Sequence, residues 1–152
     1  PDSVIGLGSC MALSDQWNIG EVLLGQAATF QGLRVPFPGD QVTHLRAALS
    51  GETLVRVGES LTVDRFVDSD QRVADLAAAH PGLPVLEMED HHLALVCRRV
   101  GTAYASLRPV TDRGSARQHQ AALESSAALC LSLMIKVLTV GGPGGMPSAE
   151  VK

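Results

Sequence analysis

Short apolar or β-branched stretches alternate along this chain with segments of helical spacing. Residues 4–8, 21–26 and 53–57 are of the first kind and predict strands. Residues 41–49 and 68–80 predict helices, the second through the spacing of Val73, Leu76 and Ala77. Asp68 or Ser69 can cap that second helix by accepting from its free N–H groups, and Pro81-Gly82 ends it. Residues 84–87 predict a short strand feeding a helix to residue 100, where Gly101 stops it. A strand over 103–108 follows, and Ser115 opens a long helix to residue 138. Phe30 to Pro38 (FQGLRVPFP) reads as the only substantial loop. Strands alternating with helices predict an α/β domain around a mainly parallel sheet. No internal repeat or second domain is legible. The expected organisation is one domain over 1–139, with a flexible Gly/Pro-rich tail over 140–152.

The long helix is apolar on more than one side. Leu123, Ala127, Cys130, Leu131, Met134 and Leu138 form one predicted face, and Leu129, Leu133 and Val137 fall on others. Only a narrow stripe around Ser125, Ser132 and Lys136 is polar. Such a helix is buried or lies in an interface. Core is the favoured reading, oligomer contact the alternative.

Composition sharpens this. A chain of 152 residues suits one domain with a real core. Charged residues make up 18%, against about 25% in ordinary soluble domains, which suggests surface hidden in a homo-oligomer, most simply a dimer. The net charge of −4 is spread along the chain without a basic patch, which argues against nucleic acid as a partner. Cys10, Cys97 and Cys130 lie far apart in apolar or small-residue runs without metal spacing; an odd, low count predicts reduced thiols and a cytoplasmic setting. No signal peptide is legible before the first strand and no apolar run looks long enough to span a bilayer, so no membrane partner is expected.

Candidate chemistry gathers where predicted strands end, the place where open α/β sheets bind ligands. Four polar segments lie there: Gly8-Ser9-Cys10, Thr62 to Phe66, Glu87 to Asp90, and Thr111-Asp112. The third begins the run Glu87-Met88-Glu89-Asp90-His91-His92, at the mouth of an apolar helix. By themselves these residues also have ordinary structural readings. Glu89 can be a first-turn acid favoured by the helix dipole, Asp112 a cap, and Phe66 core. His92 falls near the apolar face of its helix, which predicts a buried, hydrogen-bonded histidine. No metal is expected, because ligands at convergent spacing are lacking.

The same segments together resemble a known family. DSVIGLGSCMALSDQWNIGEVLL is similar to the strand, Gly-Ser turn and following strand of the purine nucleoside phosphorylase and nucleosidase superfamily, particularly its methylthioadenosine/S-adenosylhomocysteine nucleosidases. LTVDRFVDSDQRVADLAAAHPGLPVLEMED resembles the family's "SGDxF…MEx" stretch, and YASLRPVTD its "RxxSD" strand, all in register and without gaps. The resemblance implies a three-layer phosphorylase-like α/β fold with a central mixed, mostly parallel sheet. It also implies hydrolysis of the N-glycosidic bond of a purine nucleoside or thionucleoside, without a cofactor. By the same resemblance Glu89 accepts the ribose hydroxyls, Met88 packs on the sugar and Ser9 lies near it. Phe66 lies against the base, and Asp112 faces purine N7 as the proton donor.

Departures from the family pattern bear on these implications. Relatives begin with a strand–helix segment carrying a water-activating glutamate, which this chain is expected to lack or to receive from a partner. Met11 stands where a glycine is usual, and Thr62-Val63-Asp64 replaces Ser-Gly-Asp. Phosphorylases of the family place a phosphate-binding arginine at the position of Gly6, which favours hydrolysis over phosphorolysis. Arg108 is no substitute, since it matches an arginine found in hydrolases too. The alternative is a divergent member that acts as a ligand-binding or structural subunit, or that runs different chemistry in a reshaped pocket.

Overall fold

The computed structural model describes residues 2–140. The elements run β1 (Ser3–Leu7), β2 (Cys10–Ala12), β3 (Val22–Phe30), β4 (Leu33–Pro36), α1 (Gly39–Ala48), β5 (Val55–Thr62), α2 (Asp70–Ala79), β6 (Val85–Glu87), α3 (Asp90–Arg99), β7 (Ala103–Asp112) and α4 (Ala116–Val140). One mixed sheet of order β1-β7-β2-β6-β5-β3-β4 holds all seven strands. β7 also pairs with β3, which joins β7, β2, β6, β5 and β3 into a closed ring. The β1–β7, β2–β7, β3–β5 and β5–β6 pairings are parallel; β2–β6, β3–β4 and β3–β7 are antiparallel. The expected α/β fold around a mixed, mostly parallel sheet is therefore present.

β1 and the start of β2 run along β7 in the same register, Leu7 opposite Leu107 and Cys10 opposite Val110, before a shift places Met11 opposite Asp112. Only Gly8 and Ser9 leave the ladder between them. The predicted strand over 4–8 is thus two short strands with a two-residue gap, and that gap becomes part of the site.

Phe30 to Pro38 is not a loop. β3 continues to Phe30, turns at Gln31 and Gly32, and returns as β4 with Leu33 opposite Phe30. Both turn residues have positive φ (49° and 79°), as a two-residue hairpin with the right-handed strand twist requires. Gln-Gly is a weaker signal for this turn than Asn-Gly, and Pro36 and Pro38 hid the strand. β4 lies at the sheet edge, where a proline costs no ladder bond.

Helices pack against the sheet in two apolar clusters. One large apolar cluster packs Val42, Leu45 and Leu49 of the α1 region, Ala94 and Cys97 of α3, and Leu133 and Val137 of α4 against β3 and β7. A second joins Leu76 of α2 to Met11, Leu61 and Leu86. Ser69 is the cap of α2, its hydroxyl accepting from Arg72 N–H at 3.3 Å.

The expected face of α4 is only partly right. Cys130 is buried, but Leu133 and Val137 are buried beside it, whereas Leu131 and Leu138 are 63% and 70% exposed. The helix docks on β7 along the 130–133–137 stripe, with Leu129 and Met134 packed at its margins, while Leu131, Ile135 and Leu138 point away. α4 is also long and apolar enough to cross a membrane, with a mean hydropathy of 1.6 over 18 residues, contrary to the sequence expectation. Val140 closes α4, and the tail from residue 141 onward lies outside the described residues.

The histidine pair is a further correction. α3 turns Asp90, His91, Ala94 and Cys97 inward, so His91 is buried and His92 is exposed. Neither His91 ring nitrogen makes a hydrogen bond of ordinary geometry. The ring lies among Phe30 (5.6 Å between centroids) and His92 (5.5 Å). Burial, aided by the neighbouring His92, lowers the His91 pKa, with the Leu33 backbone offsetting part of this. A neutral folded histidine resists a proton that the unfolded chain accepts near the ordinary value of 6.5. Its contribution to stability is therefore full above that value and is lost as pH falls toward the lower folded pKa. Urea-unfolding midpoints from roughly pH 7.5 to 5 should fall less steeply for His91→Phe than for the unsubstituted chain. Parallel curves would refute this reading of His91.

Candidate active site

One face of β7 carries Tyr104, Ser106 and Arg108 at the two-residue repeat of a strand. All three reach Asp90, the first residue of α3. The Tyr104 hydroxyl donates to Oδ1 at 2.8 Å, Ser106 to Oδ2 at 2.7 Å, and Arg108 to Oδ1 through Nε (3.0 Å) and Nη2 (2.5 Å). Asp90 and Ser106 are fully buried and Arg108 is 3% exposed. Burial alone would pull the Arg108 pKa down, yet the carboxylates of Asp90, Glu87 and Glu89 hold it above its ordinary value. The Tyr104 phenol is pushed up by burial and by Asp90.

β1 makes room for this row. A Cβ at Gly6 would lie 2.2 Å from the Tyr104 hydroxyl, and one at Gly8 would lie 2.4 Å from Arg108 Nη1. Both neighbours are pinned by Asp90 or by the other carboxylates, so neither can step aside cheaply.

Glu87 ends β6 and caps α3 from inside. Its Oε2 accepts the N–H groups of Glu89 and Asp90, each at 2.6 Å, and its Oε1 accepts from Ser60 (3.3 Å) and Thr62. Thr62 Oγ1 in turn accepts from His91 N–H at 3.1 Å. Free amide groups at a helix start are thereby satisfied by buried side chains. Burial foremost, and then Asp90, raises the Glu87 pKa.

Glu89 stands at the edge of this cluster with its side chain 54% exposed. Arg108 Nη1 donates to its Oε2 at 2.7 Å, while the rest of the carboxylate opens into a cleft of about 410 Å³. The cleft lies over the Gly8–Ser9 gap and is lined by Ser9, Met11, Phe66, Met88, Glu89, Arg108, Asp112 and His119, among others. The five residues given a role by the family resemblance are all in it: Ser9, Phe66, Met88, Glu89 and Asp112. Phe66 is 51% exposed, so it is not core. Met11 is buried against Leu61 and Leu86, with only part of it at the cleft floor. His91 and His92 do not line the cleft.

Asp112 ends β7 with its carboxylate buried. Its Oδ1 accepts from Gly114 N–H at 2.9 Å and its Oδ2 from the Thr111 hydroxyl at 2.9 Å. His119, in the first turn of α4, places Nδ1 3.3 Å from Oδ2 and 3.0 Å from Thr111 Oγ1. Its ring meets Phe66 edge to face at 5.9 Å. Sequence reading missed His119, because only the reversal of the chain between β7 and α4 brings it back onto Asp112.

The three cysteines are free and buried. Cys10 donates to the Arg108 and Pro109 carbonyls, and burial raises its pKa well above the ordinary value, so it is a packed thiol beside the cleft and not a nucleophile. Among the described residues no group of three or more His, Cys, Asp or Glu is placed to hold a metal ion.

The sequence profile of the Phosphorylase superfamily matches residues 1–139. A curated 5′-methylthioadenosine/S-adenosylhomocysteine nucleosidase of Marinomonas sp. (strain MWYL1) is 28% identical over 162 residues, covering 93% of this chain and 70% of its own. Another, of Bacillus pumilus (strain SAFR-032), is 28% identical over 131 residues, covering 74% and 57%. The crystal structure of the Neisseria meningitidis nucleosidase of that name, in complex with methylthio-immucillin-A, superposes with a TM-score of 0.80 at 22% identity, covering 90% of this chain and 68% of the other. The chain thus spans only part of each of these proteins. With the profile matched over nearly its whole described length and the fold shared, the chain belongs to the phosphorylase superfamily.

Proposed function

We propose that the cleft hydrolyses the N-glycosidic bond of a purine nucleoside or thionucleoside, of the methylthioadenosine or S-adenosylhomocysteine type, releasing free base and sugar. The observation that carries this reading is the convergence of Glu89 and Asp112 on one cleft, with Met88, Ser9 and Phe66 between and around them. The names of the relatives support the same class of reaction.

Each group has a task that its surroundings permit. Glu89 keeps carboxylate oxygen free for two ribose hydroxyls and favours the positive charge that builds on the sugar as the bond breaks. Met88, 37% exposed, packs on the sugar ring, and Ser9 lies at the gap beneath it. Phe66 flanks the base. Asp112, in its acid form, gives a proton to purine N7 so that the base departs neutral. The group that deprotonates the attacking water is none of Glu87, Glu89 or Asp112, each of which is already engaged.

Hydrolysis is favoured over phosphorolysis by the crowding at Gly6. An arginine there would drive its Cβ into the Tyr104 hydroxyl, and Arg108 is occupied by carboxylates on every side. Neither position offers a cation to a phosphate ion. The outward apolar side of α4, with Leu131, Ile135 and Leu138 exposed, supports a homodimer as the working form.

Incubation with methylthioadenosine, S-adenosylhomocysteine, inosine and adenosine should release base from at least one, at a rate indifferent to added phosphate. Absence of release from all four by the folded chain would favour the divergent reading, a ligand-binding or structural subunit or a different reaction. Asp112→Asn should lower turnover by about 10²–10⁴ with a smaller effect on base binding. Glu89→Gln should weaken sugar recognition and turnover together. Sedimentation at micromolar concentration should give a dimer, and a clean monomer would count against the assembly proposed.

A further inference from the structure

Asp112 has a difficulty that its own contacts do not resolve. Its side chain is 4% exposed, and a base filling the cleft would separate it further from bulk water. A general acid that has given up its proton must regain one before the next cycle. Gly114 N–H and the Thr111 hydroxyl hold the carboxyl in place. Neither offers a proton that readily exchanges with solvent.

His119 is the group that both touches Asp112 and reaches water. Its side chain is 26% exposed, and Nδ1 lies 3.3 Å from Asp112 Oδ2. Thr111 has one hydroxyl proton and three neighbours within reach: Cys10 O (3.2 Å), Asp112 Oδ2 (2.9 Å) and His119 Nδ1 (3.0 Å). With a proton on His119 Nδ1, the three sites form a directed chain. Nδ1–H donates to Thr111 Oγ1 or straight to Asp112 Oδ2, and Thr111 donates onward to Asp112 or Cys10. The Phe66 ring lies edge to face with the imidazole, so the residue flanking the base also orients the histidine.

Resting on the nucleosidase reading, we propose that His119 is the positioning residue for Asp112 and returns a proton to it after each bond cleavage. The balance closes with water alone. Asp112 gives its proton to N7 and keeps the O–H electron pair as carboxylate, while the electrons of the glycosidic bond pass into the purine. Water adds to the sugar carbon and sheds a proton to solvent. The imidazolium passes its Nδ1 proton to Asp112 Oδ2, and the neutral ring takes another from solvent on its exposed side. No other reactant is consumed.

Two measurements test this. In rapid-quench assays His119→Phe should release one base per site at close to the unsubstituted rate, and then turn over about tenfold or more slowly, with KM falling alongside kcat so that kcat/KM is little changed. Added imidazole should restore steady turnover. His119→Asn, which keeps an N–H near the Nδ1 position, should restore the geometry and show the same burst. Unimpaired steady turnover in both variants, or a loss without an initial burst that lowers kcat/KM and ignores imidazole, would overturn the proposal. The second measurement needs no turnover, so it separates this inference from the nucleosidase reading. In ¹H–¹⁵N correlation spectra the His119 Nδ1 resonance should move on Asp112→Asn, and an unmoved resonance would overturn the proposal even if the chain releases no base.

Discussion

The ion cluster of Arg108 with Asp90 is the constraint on which the rest depends. Taking both charges out of water costs several kcal/mol per ion, and only close geometry with full hydrogen bonding offsets that cost. Both conditions are met. Asp90 accepts from Tyr104, Ser106 and Arg108 together, and Arg108 spends its remaining donors on Glu89 and the edge of Glu87. The cluster ties the start of α3 to the middle of β7, and Glu87 ties the same helix start to β5 and β6. Glu89 is consequently held at a helix terminus that cannot drift, one residue from a buried anchor and open to the cleft.

The same cluster shapes the cleft from below. Arg108 and Tyr104 fill the space where side chains at Gly8 and Gly6 would stand, so β1 must pass over them as bare backbone. The ladder breaks at Gly8–Ser9 above Arg108, and this break is where the cleft reaches the sheet. A structural ion cluster thereby bears on two matters of the proposed function at once: how Glu89, the proposed sugar-binding carboxylate, is aimed, and which cation is withheld from the cleft. In the proposed reaction the water-activating group must be found elsewhere, because Glu87 and Asp90 hold the fold together and Glu89 and Asp112 already have tasks.

How much of this was legible in the sequence differs by element. The long periodic helices and the apolar strands were, because burial writes its period directly into side-chain type. Glu89, Asp112, Phe66, Met88 and Ser9 were singled out as candidates through family resemblance and lie in one cleft, while their own local patterns had ordinary structural readings. Asp90 was not recognised as the anchor, since a first-turn acid is usually solvated and its partners lie 14 to 18 residues away. The signal was nonetheless present in β7, where Tyr104, Ser106 and Arg108 alternate with Ala105 and Leu107. Polar groups at a strict two-residue repeat in a buried strand require a polar partner. The β3–β4 hairpin, the buried stripe of α4 and the inward turn of His91 were misread for a common reason. Each depends on which neighbour the element packs against, and several apolar arrangements fit the same sequence.

The most direct test compares two adjacent acids by urea unfolding of the whole chain. If the buried cluster organises the structure, Asp90→Ala leaves Arg108 buried without its main partner and should cost about 3–5 kcal/mol. Glu89→Ala removes a half-exposed partner at the rim and should cost about 1 kcal/mol or less. An Asp90→Ala chain as stable as the unsubstituted one, or equal losses at the two positions, would contradict the account.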